Sequence, residues 1–280
     1  MNIAVTGATG FIGRRAMEFL QARGHKTRPI SLRSAPRPEQ LAGCEAVIHL
    51  AGEPVAQRWS AAVKKRILDS RAEGTRALVA AMREHPPNVL VSASGIGYYG
   101  SCGDQTLTEQ SPPGSDFISQ VTEAWEHEAQ EAEKLGVRVV RLRISTVMGA
   151  GGGALGKMLL PFRMGVGGKL GAGTQWMSWI HTDDLCAMML FAARESTLRG
   201  VLNATSPNPV TNADFTRALG YALHRPAVIP VPAFALRLLF GEMSEMLLGS
   251  QRAIPDAALR AGFEFRYPEI GAALIQILSE

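Results

Sequence analysis

The sequence lacks several features that would assign it to other protein classes. Its 280 residues include three cysteines, Cys44, Cys102 and Cys186, which lie far apart and form no Cys-x-x-Cys pair. This spacing argues against a disulfide framework and a structural zinc site, and it favours a reducing compartment. No stretch approaches the roughly 20 continuous apolar residues of a membrane span, and the sequence opens on a strand rather than a signal peptide. We therefore expect a cytoplasmic protein with no metal site and no membrane partner.

Basic clusters are also scarce. The net charge is +4, and the only tight group of cations is Lys64, Lys65 and Arg66. A solvated helix face explains this group better than a nucleic-acid surface does, because no basic stripe with interleaved aromatic residues is present. A mild basic excess does suit an anionic cofactor or substrate.

The first thirteen residues, MNIAVTGATGFIG, combine an apolar strand, a glycine turn and the start of an amphipathic helix. Gly7 permits a tight turn, Gly10 lets the backbone approach a phosphate, and Gly13 lets the helix pack closely on the strand. The N–H groups and the dipole at the helix start attract an anion. The pattern predicts a nucleotide pyrophosphate site, and the alternative is a turn that only joins strand to helix.

The second strand, residues 26–32, lacks an acidic residue at its end. In sites of this kind a carboxylate about 20 residues beyond the glycines holds the ribose 2′-hydroxyl of NAD. Here Arg33 occupies that region, with Arg28 and Arg37 nearby in the sequence. Because a guanidinium suits a phosphate dianion, we predict NADP(H) rather than NAD. The alternative is that Arg33 is simply an exposed residue.

Strands and helices alternate through most of the chain, with predicted strands at 45–50, 88–94, 137–144 and 200–204. Glycines flank a short apolar helix within 149–173, which suits a mobile flap over a pocket or a surface excursion that packs a cap. After residue 211 the alternation changes, and a further strand is predicted at 228–231. We predict an α/β fold with a Rossmann-type doubly wound parallel sheet and a smaller C-terminal substrate lobe. Residues 1–150 and 176–205 form the NADP-binding core, and 151–175 and 206–280 form the flap and cap lobe.

Polar residues follow the fourth strand, where the chemistry of an open α/β sheet takes place. Ser94 is the favoured hydrogen-bond donor and Ser92 the less favoured one. Tyr99, or less favourably Tyr98, could supply a proton, but both tyrosines could equally be packing residues. His49 lies within the apolar third strand, and we interpret it as a core histidine rather than a catalyst.

The motifs TGATGFIG, HLAG, SAS…GYYG and WIHTDDL together resemble the extended short-chain dehydrogenase/reductases. RW…DSR at 58–71, the glycine-rich segment and the tail from PVPAFALRLLFGE to GFEFRYPE are similar to the atypical "epimerase family" branch, which has its own small C-terminal domain. The likeness covers nearly the whole chain. It implies a Rossmann core that binds NADP(H), with the nicotinamide near the end of the fourth strand, and it suggests a homodimer through core helices. The implied cofactor contacts are Gly7, Thr9, Gly10, Phe11, Ile12, Arg33, Leu50, Ala51, Arg71 and Val147.

The sequence departs from the superfamily in its catalytic pair. None of the four tyrosines is followed four residues later by a lysine, so no Tyr-x-x-x-Lys motif exists. The expected helix instead carries Phe117, Ile118, Val121 and Thr122 around those positions. Loss of a general acid/base costs about 10²–10⁴ in rate, whereas cofactor binding does not depend on it.

Two functions are consistent with these observations. The first is an NADP-dependent oxidoreductase or epimerase-like enzyme for a small carbonyl or sugar-type substrate, in which Ser94 and Tyr99 are the candidate catalytic residues. The second is a non-catalytic NADP(H)-binding sensor or regulatory module. The sequence does not identify the substrate.

Overall fold

The computed structural model describes residues 1–279. Its strands are β1 (Asn2–Thr6), β2 (Lys26–Ile30), β3 (Ala46–His49), β4 (Val89–Gly95), β5 (Thr106–Leu107), β6 (Arg138–Ile144), β7 (Thr146–Met148), β8 (Trp176–Met177), β9 (Trp179–His181), β10 (Gly200–Ala204), β11 (Val210–Thr211) and β12 (Arg252–Ala253). Its helices are α1 (Phe11–Gln21), α2 (Ala61–Ala81), α3 (Phe117–Gln130), α4 (Gly153–Arg163), α5 (Thr182–Arg194), α6 (Asn212–Ala222), α7 (Ala233–Phe240), α8 (Ser244–Leu248), α9 (Asp256–Arg260) and α10 (Ile270–Ser279).

Six strands form one parallel sheet in the order β10-β6-β4-β3-β1-β2. The order reverses at β1, so the crevice at the carboxyl ends of β1 and β3 is the topological switch point where such sheets bind ligands. Helices cover both faces, as a doubly wound fold requires. The predicted fold class is confirmed.

Alternate residues of each central strand serve the two faces. Ile3 and Ile48 pack against α1 and α5, whereas Ala4 and Val47 pack against α2, the end of α3 and the segment that follows it. The period of two residues is the strand geometry itself. Because β1 and β3 are apolar on both faces, they lie in the middle of the sheet.

The C-terminal region packs around its own apolar cluster. Leu155 and Phe162 of α4 meet Phe215 of α6 and Leu274 of α10. In the part of the chain described, no helix has both the length and the apolar character needed to cross a bilayer.

The prediction of a strand at 228–231 is wrong. Only Val231 makes a bridge, to Leu170. Pro226, Pro230 and Pro232 lie in and around this segment, and proline has no N–H to donate to a strand ladder.

Both edges of the large sheet carry a feature that limits further pairing. At one edge β2 contains Pro29. At the other, the backbone N–H of Asn203 in β10 donates to the Glu109 carboxylate at 2.9 Å, and α9 packs against the same strand.

Candidate functional site

The glycine turn after β1 is packed too tightly for side chains. Gly7 has a φ of +66°, and a Cβ there would lie 2.8 Å from the carbonyl of Leu50 and 2.9 Å from the nitrogen of Ala51. A Cβ on Gly13 would overlap the Gly7 carbonyl oxygen and lie 2.8 Å from the Ala8 Cα. The turn is therefore in backbone contact with the start of α1, and it also touches the end of β3, a contact that the glycine spacing did not predict.

The first turn of α1 has no side-chain cap. Gly10 is the N-cap residue, its N–H donates to the Gly7 carbonyl at 2.9 Å, and the first turn contains no acidic residue. The first N–H groups of a helix have no partner within the helix. They therefore point, with the positive end of the helix dipole, towards the crevice, where they suit an anion.

A buried hydrogen-bond chain fixes the loop after β3. The N–H groups of Leu50 and Ala51 donate to the Thr6 hydroxyl oxygen at 3.0 and 3.2 Å. That hydroxyl therefore keeps its hydrogen for Nδ1 of His49, 2.7 Å away, and Nε2–H of His49 donates to Thr75 at 2.8 Å. Burial, helped by the nearby Arg71 charge, lowers the pKa of His49 to about 3. His49 is fully buried and neutral, so its interpretation as a core residue is confirmed.

Arg71 of α2 reaches across to the same loop. Its guanidinium donates to the Glu53 carbonyl at 2.9 Å and lies 4.9 Å from the centre of the Trp125 ring. A Cβ on Gly52 would approach this guanidinium to 3.1 Å. Burial lowers the pKa of Arg71 to about 10, while Glu53 opposes the shift, so the side chain is cationic at neutral pH. Residue periodicity alone would leave Arg71 on an exposed helix face, and the one local signal was the DSR motif.

Arg33, predicted at the 2′-phosphate position, and Arg28, its neighbour in the sequence, differ in their surroundings. Arg28 donates to the carbonyls of Gln40 and Ala42 at 2.8 and 3.0 Å and thus holds the chain after β2. The exposed Arg33 follows β2 at the carboxyl edge, and its guanidinium makes no ion pair or hydrogen bond with residues 1–279. Arg33 is therefore available to a ligand at this edge.

The remaining predicted contacts surround the same crevice. Thr9 is exposed in the glycine turn, and Ile12 is half-buried in the first turn of α1. Phe11 packs against the glycine segment: a Cβ on Gly152 or Gly153 would lie within 2.8 Å of its ring. Close packing on Phe11 thus explains these two glycines without a hinge.

Val147 is buried in the short strand β7, which continues from the carboxyl end of β6 and pairs with β9. It lies with the other predicted contacts at the carboxyl edge of the sheet.

Ser94, at the end of β4, lies in a buried polar cluster. Its hydroxyl donates to Oε1 of Glu126 at 2.8 Å. Arg143 binds the same carboxylate through two hydrogen bonds of 2.7 and 2.9 Å. One hydroxyl hydrogen cannot serve both Glu126 and a substrate, so Ser94 can only accept a hydrogen bond in this arrangement.

Tyr99 is also committed to the interior. It is 1% exposed, donates to Asn203 at 2.6 Å and accepts from Arg143 at 3.0 Å. Burial raises the pKa of Tyr99, although Arg143 opposes the shift. Its role as proton donor stays a prediction that these contacts do not favour. Tyr98 is half-buried, and the Arg143 guanidinium lies 3.3 Å from the centre of its ring.

Ile118 and Thr122 of α3 lie four residues apart, the spacing of the missing Tyr-x-x-x-Lys pair, and both face the end of β4 and the residues that follow it. Ile118 meets Gly97, and the Thr122 methyl would lie 3.7 Å from a Cβ on Gly95. The Thr122 hydroxyl donates to backbone carbonyls of its own helix at 2.8 and 2.9 Å. Neither side chain can act as an acid or base there.

The WIHTDDL motif forms a structural junction beside α1. Asp183 accepts two hydrogen bonds from Arg15 of α1, at 2.7 and 2.9 Å. Asp184 accepts the backbone N–H groups of Arg266 and Tyr267 at 3.0 and 2.9 Å. The motif therefore ties α5 to both α1 and the C-terminal tail. The side chain of His181 caps α5 by accepting the Asp183 N–H at 3.1 Å.

No group of three or more potential metal-ligating side chains occurs among residues 1–279. The polar groups that converge at the crevice are backbone amides and arginine side chains, which suit phosphate groups rather than a cation.

Comparison with known proteins finds family matches over most of the chain. The sequence model of the NAD dependent epimerase/dehydratase family matches residues 3–204, and that of a domain of unknown function, DUF1731, matches residues 231–277. The chain is 40% identical to the cattle epimerase family protein SDR39U1, over 100% of both chains. It is 36% identical to the epimerase family protein YfhF of Bacillus subtilis, over 100% of this chain and 99% of that protein.

Solved structures agree with the sequence relatives. The human epimerase family protein SDR39U1, crystallised with NADPH, superposes with a TM-score of 0.91 at 36% identity over the full length of both chains. A nucleoside-diphosphate sugar epimerase from Corynebacterium glutamicum gives a TM-score of 0.83 at 32% identity, covering 99% of this chain and 58% of that one.

Proposed function

Because the chain belongs to the NAD-dependent epimerase/dehydratase family, we propose that it binds NADP(H) at the carboxyl ends of β1 and β3. The observation that carries the proposal is the close backbone packing at Gly7 and Gly13, where the loop at Leu50–Ala51 and the turn itself leave no room for a Cβ. The amides at the start of α1 hold the pyrophosphate, and Arg33 binds the 2′-phosphate. The human relative crystallised with NADPH supports this choice of cofactor.

The neighbouring residues fit the same group. Arg71 supplies a positive charge along the β3 loop, and the Thr6–His49 hydrogen bonds hold that loop in place. Thr9, Phe11, Ile12 and Val147 complete the proposed contacts. When bound, the nicotinamide supplies or accepts a hydride. The chain's own residues bind it, orient it and carry charge beside it.

We assign to this site an oxidoreductase or epimerase-like activity on a small carbonyl or sugar-type substrate. Residues 151–175 and 206–280 form the lobe that meets the substrate, which agrees with the apolar cluster shared by α4, α6 and α10. Ser94 is the polar group proposed beside the reacting carbon, and it must release Glu126 before it can donate to a substrate oxygen. Tyr99 stays the weaker candidate for proton transfer. A cytoplasmic location and a homodimer through core helices belong to the same proposal.

A substitution pair on β4 tests the activity. Activity is measured with NADPH across a panel of small carbonyl compounds and nucleotide sugars. We expect Ser94→Ala to lower kcat at least tenfold and leave the NADPH dissociation constant unchanged. Ser92→Ala, a buried serine on the same strand, should change neither. Equal kcat in the Ser94 variant and the parent protein would remove Ser94 from the mechanism.

A non-catalytic sensor of NADP(H) is the second candidate. It is favoured by the internal hydrogen bonds that occupy the hydroxyls of Ser94 and Tyr99. A sensor binds NADPH without turnover and has a partner whose affinity differs between the NADP⁺ and NADPH states. Turnover of any member of the substrate panel would exclude it, as would equal partner affinity in the two states.

A further inference from the structure

Two segments of the C-terminal region combine exposed apolar side chains with an excess of positive charge. Residues 151–175 and 215–241 contain six lysines and arginines and no aspartate or glutamate. Nine of the twelve large apolar side chains that are exposed in residues 1–279 also lie in these two segments: Leu160, Met164, Val166, Tyr221, Val228, Ile229, Phe234, Leu238 and Leu239. We call the exposed side chains of the two segments the basic apolar surface.

The two segments are joined, so their side chains belong to one region of the molecule. The Val231 N–H donates to the Lys169 carbonyl at 2.8 Å, and the Gly171 N–H donates to the Val231 carbonyl at the same distance. A Cβ on Gly168 would overlap the backbone of Ile229. The segment that follows α4 and the loop that leads into α7 are therefore neighbours.

Helix α7 has the wrong composition for a solvated helix. Seven of the eight residues in AFALRLLF are apolar, yet only Leu236 is buried. Phe234 and Leu238, one turn apart, are 73% and 75% exposed. A helix that is apolar on all sides is normally buried in a core or a membrane, and contiguous exposed apolar area marks an interaction site.

Of the six cations of this surface, Arg217 and Arg237 pair with acidic residues, and the other four make no ion pair with residues 1–279. Arg163, Lys169 and Arg225 are exposed and make no ion pair with residues 1–279. The acidic residues that border the surface each already have a basic partner. Asp214 pairs with Arg217, Glu242 with Lys64, and Glu245 with Arg237 at 3.5 Å. The occupant of this surface must therefore bring negative charge together with apolar material.

We propose that the basic apolar surface binds the interface of a membrane that contains anionic lipid. Phe234, Leu238 and Val228 enter the boundary between headgroups and acyl chains, while the unpaired cations contact the lipid phosphates. The expectation of no membrane partner rested on the lack of a spanning run, and peripheral contact needs none.

Vesicle flotation tests the proposal. The full chain is mixed with vesicles of phosphatidylcholine alone or of phosphatidylcholine with phosphatidylglycerol, at low and high salt. We expect flotation with the anionic vesicles that weakens as salt rises. Phe234→Ser with Leu238→Ser should reduce the bound fraction at least tenfold, because it removes apolar side chains that enter the bilayer boundary. Both side chains are solvent-exposed, so their loss does not disturb the core.

The charge contribution is tested by removing Arg163, Lys169 and Arg225 together by substitution to alanine. Each cation near an anionic bilayer contributes about a fivefold factor, so we expect about a 100-fold weaker partition. The matched charge control removes three exposed cations elsewhere, Lys26, Arg83 and Arg199, and should float like the parent.

An apolar control and a check of folding complete the design. Leu259→Ser with Ile275→Ser removes two half-exposed apolar side chains outside the surface and should not change flotation. NADPH titration and thermal unfolding show that each variant is folded.

Three results overturn the proposal: no flotation of the parent, equal flotation with neutral vesicles, or equal losses in the control and surface variants. If the parent stays in solution, and self-association in sedimentation velocity disappears in the Phe234/Leu238 variant, the surface is a contact between copies of this chain and not a lipid site.

Discussion

Substitution of Gly13 by alanine is the most direct test of the cofactor site. Alanine favours a helix by about 1 kcal/mol over glycine, so propensity alone predicts a more stable protein. The structure predicts the opposite, because a Cβ at this position overlaps the Gly7 carbonyl oxygen and lies 2.8 Å from the Ala8 Cα. Both obstacles are backbone atoms, and ordinary carbon contacts are about 3.5–4.0 Å. The start of α1 must therefore move by about an ångström.

That displacement separates the amides of α1 from the position of the phosphate. Hydrogen bonds to charged groups are worth about 1.5–3 kcal/mol each. Loss of two such hydrogen bonds weakens the binding of NADPH by at least about 100-fold. Overpacking also costs about 1–3 kcal/mol of stability. Calorimetric NADPH titration and urea unfolding measure the two effects separately.

Gly74 provides the matched control. It lies inside α2, and a Cβ there would make only an ordinary contact, 3.9 Å from the Leu32 side chain. Gly74→Ala should raise the free energy of unfolding by about 0.5–1 kcal/mol and leave NADPH affinity unchanged. If Gly13→Ala binds NADPH as tightly as the parent protein, the proposed contact between glycine turn and pyrophosphate is wrong.

Three further predictions concern single side chains. Arg33→Ala should weaken the binding of NADPH by about 10–100-fold and leave the binding of NADH unchanged. An equal loss of affinity for both cofactors in paired titrations would contradict the assignment of Arg33 to the 2′-phosphate. His49 is protonated in the unfolded chain below about pH 6.5 but in the folded protein only near pH 3. Proton uptake by His49 in the unfolded chain should therefore lower the free energy of unfolding by about 1.4 kcal/mol per pH unit as pH falls from 6 to 4. In urea unfolding, His49→Asn should lack that part of the slope. Tyr99→Phe should cost about 1–3 kcal/mol of stability, because Asn203 and Arg143 lose a buried partner, without a change in NADPH affinity by titration.

The nucleotide site could be predicted because its determinants are local. Gly7, Gly10 and Gly13 lie within seven residues, and at Gly7 and Gly13 a Cβ would meet backbone atoms at less than 3 Å. The absence of a carboxylate after β2 was equally visible, and it directed attention to Arg33. His49 was identified as a core residue because its strand is apolar on both sides.

The surroundings of Ser94 and Tyr99 could not be predicted, because their partners come from distant parts of the chain. The register of β4 with β6 places Ser94 opposite Arg143, and Glu126 reaches the pair from α3. Nothing in the local sequence specifies that register. For the same reason, Arg71 was indicated only by the resemblance that the DSR motif carries, since its target is the backbone of another loop.

The two edges of the large sheet constrain how copies of this chain can assemble. Proline within β2 cannot donate to an added strand, and the Glu109 carboxylate already occupies a backbone donor of β10. A sheet protected in this way resists edge-to-edge growth, the route by which β-rich surfaces aggregate. The two subunits of a dimer would therefore contact each other through helices, and the large sheet would not continue from one subunit into the other.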